Sequence, residues 1–163
     1  MLKKGEIMSI QLKEERVKPF LRWAGGKTWF IDHLKQLLDG QTFTNYYEPF
    51  LGGGSIFFSL SITDATVTLS DANKELIDTY TAIRDNVEAV IQHFATYENT
   101  SDFYYKLRAY EPEDTFEKAA RFIYLLALRR ISTKEAWNTF MVGFCQLVQK
   151  YDGLIELRRL GIP

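Results

Sequence analysis

The sequence predicts an α/β fold built on a parallel sheet, and three observations carry that expectation. The aromatic run Asn45-Tyr46-Tyr47-Glu48-Pro49-Phe50-Leu51 leads into Gly52-Gly53-Gly54-Ser55, and an apolar helical stretch resumes at Ile56-Phe57-Phe58-Ser59-Leu60. That order reads as strand, tight turn and helix, the arrangement that seats a nucleoside at the lip of a parallel sheet. Ala65-Thr66-Val67-Thr68-Leu69-Ser70 is rich in β-branched residues and reads as a second strand. It ends at Asp71, and a helix is expected from near Asn73 through Tyr80 and Ile83.

The glycine turn allows a choice between ligands. A dinucleotide fingerprint needs G-x-G-x-x-G; Gly52 and Gly54 fit, but the third position is Phe57. Gly25-Gly26-Lys27-Thr28 resembles the end of a phosphate loop, yet the glycine required five positions before Gly26 is Leu21. Each phosphate motif therefore fails at a specific residue. A nucleoside without phosphate, such as S-adenosylmethionine, remains compatible. Asp71 follows the turn by about twenty residues, where a carboxylate can accept bonds from both ribose hydroxyls. Asp is also a favoured helix N-cap, so Asp71 has a second reading as the cap of the helix that begins near Asn73.

Three segments resemble the adenine-specific DNA methyltransferases of the DNA adenine methylase group, in order and spacing. They are Phe20-Leu21-Arg22-Trp23-Ala24-Gly25-Gly26-Lys27, the turn from Tyr47 to Phe58, and Ser70-Asp71-Ala72-Asn73-Lys74-Glu75-Leu76. Phe103 to Arg108 and Lys118 to Leu125 are similar to further family segments, so the resemblance spans about Lys18 to Leu125. It implies a Rossmann-like S-adenosylmethionine-dependent methyltransferase fold, truncated in this chain. It also implies methyl transfer to N6 of adenine in double-stranded DNA, with no metal. By the same resemblance Trp23 and Lys27 contact the cofactor, and Glu48, Pro49, Phe50, Gly52 and Gly54 shape its pocket. Asp71 holds the ribose, and Arg22 approaches DNA.

The family carries out its chemistry on a flipped base with an Asp-Pro-Pro-Tyr tetrapeptide. The prolines here are Pro19, Pro49, Pro112 and Pro163, none adjacent to another, so no catalytic residue is assigned. Beyond Leu125 the resemblance is lost, Trp137-Asn138-Thr139 being a faint echo. The expectation is an inactive fragment. The alternatives are a non-enzymatic cofactor-binding fragment and one half of a split enzyme whose second polypeptide carries the catalytic motif. The resulting organisation is a polar lead-in over 1–17, a cofactor-binding part over 18–85, a helical segment leading into the target-recognition region over 86–125, and a divergent tail over 126–163. A seven-stranded family sheet needs strands beyond the two legible here, and a sheet left short of neighbours exposes its edges.

The remaining elements follow from local chemistry. A second amphipathic segment is expected around Val87–Tyr97, with breaks at Asn99-Thr100-Ser101-Asp102 and at Tyr110-Glu111-Pro112-Glu113-Asp114. A further helix begins near Thr115 and extends through the apolar run Phe122 to Leu128, far short of a membrane span. Ser132-Thr133-Lys134-Glu135 matches a capping box. Phe103, Tyr104, Tyr105 and Tyr110 fit core packing, with base stacking as the other reading.

A formal net charge of −1 gives no large basic surface; Lys3-Lys4, Arg129-Arg130 and Arg158-Arg159 are local clusters. Cys145 is the single cysteine, which excludes an internal disulfide and fits a reducing compartment. His33 and His93 lack the spacing of a zinc site. Met1 to Arg16 is charged and lacks the apolar core of a secretion signal, which points to the cytoplasm.

Overall fold

The computed structural model describes residues 21, 23–41, 43–60, 65–127 and 156–159. Arg22, the lead-in over 1–17, Arg129-Arg130, the Ser132–Glu135 capping box, Trp137-Asn138-Thr139 and Cys145 lie outside the described residues. After a short 3-10 helix at Thr28–Phe30 come α1 (Ile31–Leu38), β1 (Asn45–Glu48), α2 (Ser55–Leu60) and β2 (Thr66–Asp71). Then follow α3 (Lys74–Ala95), α4 (Ser101–Ala109), α5 (Thr115–Ala127) and β3 (Glu156–Arg159).

The three strands form a parallel sheet in the order β1-β2-β3. Asn45 lies opposite Thr66 and Glu48 opposite Leu69. On the other side of β2, Asp71 lies opposite Arg159. The expected strand from Asn45 to Leu51 ends at Glu48, because Pro49 has no N–H and the chain turns there. β2 is the central strand, with Val67, Thr68, Leu69 and Ser70 all buried, the pattern of a parallel strand covered on both faces.

α3 begins at a capped end. The Asn73 side chain accepts from the Leu76 N–H at 3.0 Å and takes the extended conformation of an N-cap. Asn86 leaves the helical conformation inside α3 (φ −160°, ψ 84°), and its side chain accepts from the Ala89 N–H at 3.1 Å. The segment expected around Val87–Tyr97 is therefore a second helical stretch that Asn86 caps. Thr100 caps α4 through the Phe103 N–H, and Asp114 holds the Glu117 N–H at the start of α5. Both expected breaks are thus cap sites.

The core follows from helical periodicity. Leu76, Ile77, Tyr80 and Ile83 line one stripe of α3 and pack with Ala119, Ala120, Ile123 and Tyr124 of α5. Leu76 and Ile123 are completely buried, each contributing about 1.5–3 kcal/mol relative to exposure. Phe103 and Tyr104 pack against this cluster, while Tyr105 and Tyr110 are exposed. Arg121 ties α4 to α5, donating to the carbonyls of Leu107 and Arg108 at 2.9 and 2.8 Å. Among the described residues no helix is long and apolar enough to cross a membrane, and no group of three or more His, Cys, Asp or Glu is placed to hold a metal.

Candidate functional site

The glycine turn sits at the carboxyl end of β1, and its geometry leaves no room for side chains. Gly54 N–H donates to the Leu51 carbonyl at 2.8 Å, closing the turn, and the Gly54 carbonyl accepts from Phe58 N–H to start α2. Gly52 and Gly54 take φ of +51° and +68°, a region that L side chains disfavour. A Cβ on Gly52 would meet Trp23 Cδ1 at 3.0 Å, and one on Gly53 would meet the Leu21 carbonyl oxygen at 2.4 Å. One on Gly54 would meet Phe58 Cε2 at 2.5 Å. The segment carrying Leu21 and Trp23 thus crosses one side of the turn, and α2 closes the other.

Asp71 joins this turn to the second strand. One carboxylate oxygen accepts from Gly52 N–H at 2.9 Å and the other from Asn73 N–H at 2.9 Å. Of the two readings of this residue, the helix cap falls to Asn73, and the Asp71 carboxylate is committed to the glycine turn. An ionised carboxylate offers about four acceptor positions. Two are used, and Asp71 is only half-buried, so the outer side of the group remains open to hydroxyl donors.

Glu48 is buried at the end of β1 and accepts from the Tyr46 hydroxyl at 2.8 Å. Tyr46 and Glu48 are two apart on a strand and so share a face. Burial raises the Glu48 pKa, and the hydrogen bonds from Tyr46 and the Phe57 backbone oppose that rise. The Tyr46 and Tyr80 hydroxyls are pushed up foremost by burial, then by the charge of Glu48; Asp71 adds to the effect at Tyr80. Tyr80 reaches the turn from α3, its hydroxyl 3.3 Å from where a Gly54 Cβ would stand.

The fold therefore brings Trp23, Glu48, Gly52, Gly54 and Asp71 together. Trp23 is half-buried, its ring 6.3 Å from that of Phe122. Pro49 and Phe50 stand exposed beside the turn, Phe50 at 81 %. Lys27 is exposed at the head of the 3-10 helix, where its carbonyl accepts from Phe30 N–H. Arg22 is outside the described residues. Sequence reasoning missed Leu21, Tyr46, Tyr80 and Phe122. The i, i+2 relation of Tyr46 to Glu48 was an available signal, as was the polar tip of Tyr80 on an apolar helical stripe.

Comparison with known proteins bears on this site. A family model described as D12 class N6 adenine-specific DNA methyltransferase matches residues 23–139, so the match extends past Leu125. Type II methyltransferase M1.LlaDCHI of Lactococcus lactis subsp. cremoris is 31% identical over 142 residues, covering 79% of this chain and 49% of the relative. Type II methyltransferase M.MjaIII of Methanocaldococcus jannaschii is 32% identical over 148 residues, covering 75% and 51%. The DNA adenine methylase of Haemophilus influenzae is 32% identical over 150 residues, covering 86% and 51%. The chain spans about half the length of these curated relatives.

Proposed function

The chain belongs to the D12 class N6 adenine-specific DNA methyltransferase family, and from that premise we propose that it carries the S-adenosylmethionine site of a Rossmann-like methyltransferase fold. The activity that goes with this site is methyl transfer to adenine N6 in double-stranded DNA. The observation that carries the reading is the Asp71 carboxylate, held by the Gly52 and Asn73 N–H groups with acceptor positions to spare. Those positions suit the two hydroxyls of a ribose.

The residues present fit the cofactor. Asp71 would hold the ribose, and Trp23 would pack on the cofactor. Gly52 and Gly54 allow close approach of the backbone, Glu48 supplies buried negative character next to the turn, and Pro49 and Phe50 form the outer lip. Lys27 would lie close to the polar end of the cofactor. Bound S-adenosylmethionine supplies an electrophilic methyl group, and the work of this chain is to hold and orient it. Arg22 is assigned an approach to DNA.

In this reading residues 18–85 are the cofactor-binding part, 86–125 lead into the target-recognition region, and 126–163 form a tail whose first part, to 139, still matches the family model. The Asp-Pro-Pro-Tyr tetrapeptide does not occur in the 163 residues. These 163 residues are therefore read as inactive on their own. The single Cys145 fits the reducing compartment of a cytoplasmic location. The competing readings are a non-enzymatic cofactor-binding fragment and one half of a split methyltransferase.

Calorimetric titration with S-adenosylmethionine tests the site, alongside radiolabelled methyl transfer to duplex DNA. Saturable binding that Asp71→Ala weakens at least tenfold, with no transfer, is expected. A folded chain that binds no cofactor overturns the site, and transfer by the chain alone overturns the assignment as inactive.

A further inference from the structure

The Glu48 carboxylate is held from both sides of the glycine turn. Tyr46 lies two residues before it on β1 and on the same face. The Tyr46 hydroxyl donates to Glu48 Oε2 at 2.8 Å. The Phe57 N–H, in the first turn of α2, donates to the same carboxylate. The Phe57 ring in turn stands 6.1 Å from the Tyr46 ring, at an interplanar angle of 38°. Tyr46, Glu48 and Phe57 therefore close a triangle that ties the end of β1 to the start of α2, with Gly52, Gly53 and Gly54 between them in the chain.

A buried carboxylate is costly unless hydrogen bonds favour its charged form. Glu48 is buried, and burial raises its pKa while Tyr46 and then the Phe57 backbone lower it. Burial, then the charge of Glu48, pushes the Tyr46 hydroxyl upward, so it remains a neutral donor as Glu48 titrates. Tyr80 of α3 and Asp71 at the end of β2 are the other titratable groups whose charges meet here. Two donors fix the last torsion of the Glu48 side chain, which otherwise lies in a broad well. They occupy two of the carboxylate's acceptor positions, about four in all, and so set where the others point.

We propose that Tyr46 is a positioning residue for the cofactor, its hydroxyl setting the direction in which Glu48 presents its carboxylate to the glycine turn. This rests on the S-adenosylmethionine reading above and adds a residue that acts on the cofactor through another. Asp71 is committed to the Gly52 N–H, so carboxylates stand at the ends of both β1 and β2. S-adenosylmethionine is positively charged at its sulfonium and at its ammonium group. A carboxylate in dry surroundings attracts a cation more strongly than one in water, provided that it is ionised and correctly aimed. Tyr46 serves both conditions through one bond, and its ring, lying against Phe57, keeps the hydroxyl in place.

Tyr46→Phe removes the hydroxyl and keeps the ring that lies against Phe57. In the full chain without cofactor, carbon-13 NMR of the Glu48 carboxyl, assigned by its absence in Glu48→Gln, is expected to titrate at higher pH in Tyr46→Phe. The sign follows because a bond that favours the charged form has gone. Calorimetric titration with S-adenosylmethionine at neutral pH is expected to show binding weakened about fivefold or more. Acidification is expected to weaken binding at a higher pH in this variant than in the native chain. In a Glu48→Gln background Tyr46→Phe is expected to move neither the affinity nor its pH dependence, because the group it acts through is no longer a carboxylate. Tyr124→Phe is the matched control. It removes a hydroxyl that donates to the Glu98 carbonyl at 2.6 Å and is expected to leave the Glu48 titration and the cofactor affinity unchanged; circular dichroism confirms that each variant is folded. An unmoved Glu48 titration, an equal loss of affinity in Tyr124→Phe, or the same loss in the Glu48→Gln background would overturn the inference. A native chain that binds no cofactor overturns the methyltransferase site and this role with it. Native binding that Tyr46→Phe leaves intact overturns the role of Tyr46 alone.

Discussion

Replacing Asp71 by Asn isolates the link between the glycine turn and the second strand. The native carboxylate accepts one bond from Gly52 N–H and one from Asn73 N–H, both at 2.9 Å. Asn keeps a single acceptor oxygen and turns its amide N–H groups toward the other backbone donor, so one bond is lost. Hydrogen bonds to charged groups contribute about 1.5–3 kcal/mol, and the half-buried position favours the lower end. A stability loss of about 1–2 kcal/mol is expected for Asp71→Asn in urea denaturation. Asp71→Ala forfeits both bonds and is expected to lose about 2–4 kcal/mol. Neither variant touches the helix cap, since Leu76 N–H donates to Asn73. Asn73→Ala therefore serves as the control, expected to lose about 1 kcal/mol while S-adenosylmethionine affinity in calorimetry stays the same. Asp71→Asn is expected to lower that affinity about tenfold. If Asn73→Ala weakened cofactor binding as much as Asp71→Asn did, the ribose role would be refuted, and the segment would matter only as a helix start.

Three further outcomes follow from the same geometry. Gly54→Ala combines a φ of +68° with a 2.5 Å approach to Phe58 and is expected to lose about 2–5 kcal/mol. Gly25→Ala has a φ of +82° but open space around it and is expected to lose only about 1–2 kcal/mol; equal urea midpoints for the two would contradict the crowding argument. Burial raises the Glu48 pKa, so its contribution to stability is full below the unfolded pKa and is lost as pH rises through the folded value. Glu48→Gln has no such loss, and its stability relative to the native chain is expected to rise as pH increases above the ordinary carboxylate range; a difference that is flat with pH would disprove this. Arg121→Lys cannot reproduce the paired bonds to the Leu107 and Arg108 carbonyls and is expected to lose about 1–3 kcal/mol. Hydrogen exchange is then expected to quicken in α4 with β1 and β2 unchanged, and a uniform change would contradict the assigned tie.

What was legible in the sequence was the part that short-range chemistry dictates. The strand, glycine turn and helix from Asn45 to Leu60 carry their own punctuation, as does the β-branched run of β2. The breaks at Asn99–Asp102 and Tyr110–Asp114 are capping chemistry written within a few residues. β3 was not legible. Glu-Leu-Arg-Arg has no β-branched residue, and its strand geometry comes from pairing with β2 across the chain. Asp71 had two local readings, and neither contained its bond to Gly52, nineteen residues away. Leu21, Tyr80 and Phe122 escaped for the same reason, since each meets the turn or Trp23 through the tertiary fold.

The crossing of the glycine turn by Leu21 and Trp23 has a consequence for how the protein is made. These residues leave the ribosome before Gly52, so the turn emerges into the presence of the segment that will lie across it. Its formation waits on no later part of the chain for that side, and α2, directly after the turn, supplies the other through Phe58. What the turn still awaits is Asp71 of β2, which follows Gly52 by nineteen residues. Shortening the chain from its N-terminus as far as Trp23 would strip this side bare and leave Gly52 and Gly53 without the neighbours that require them.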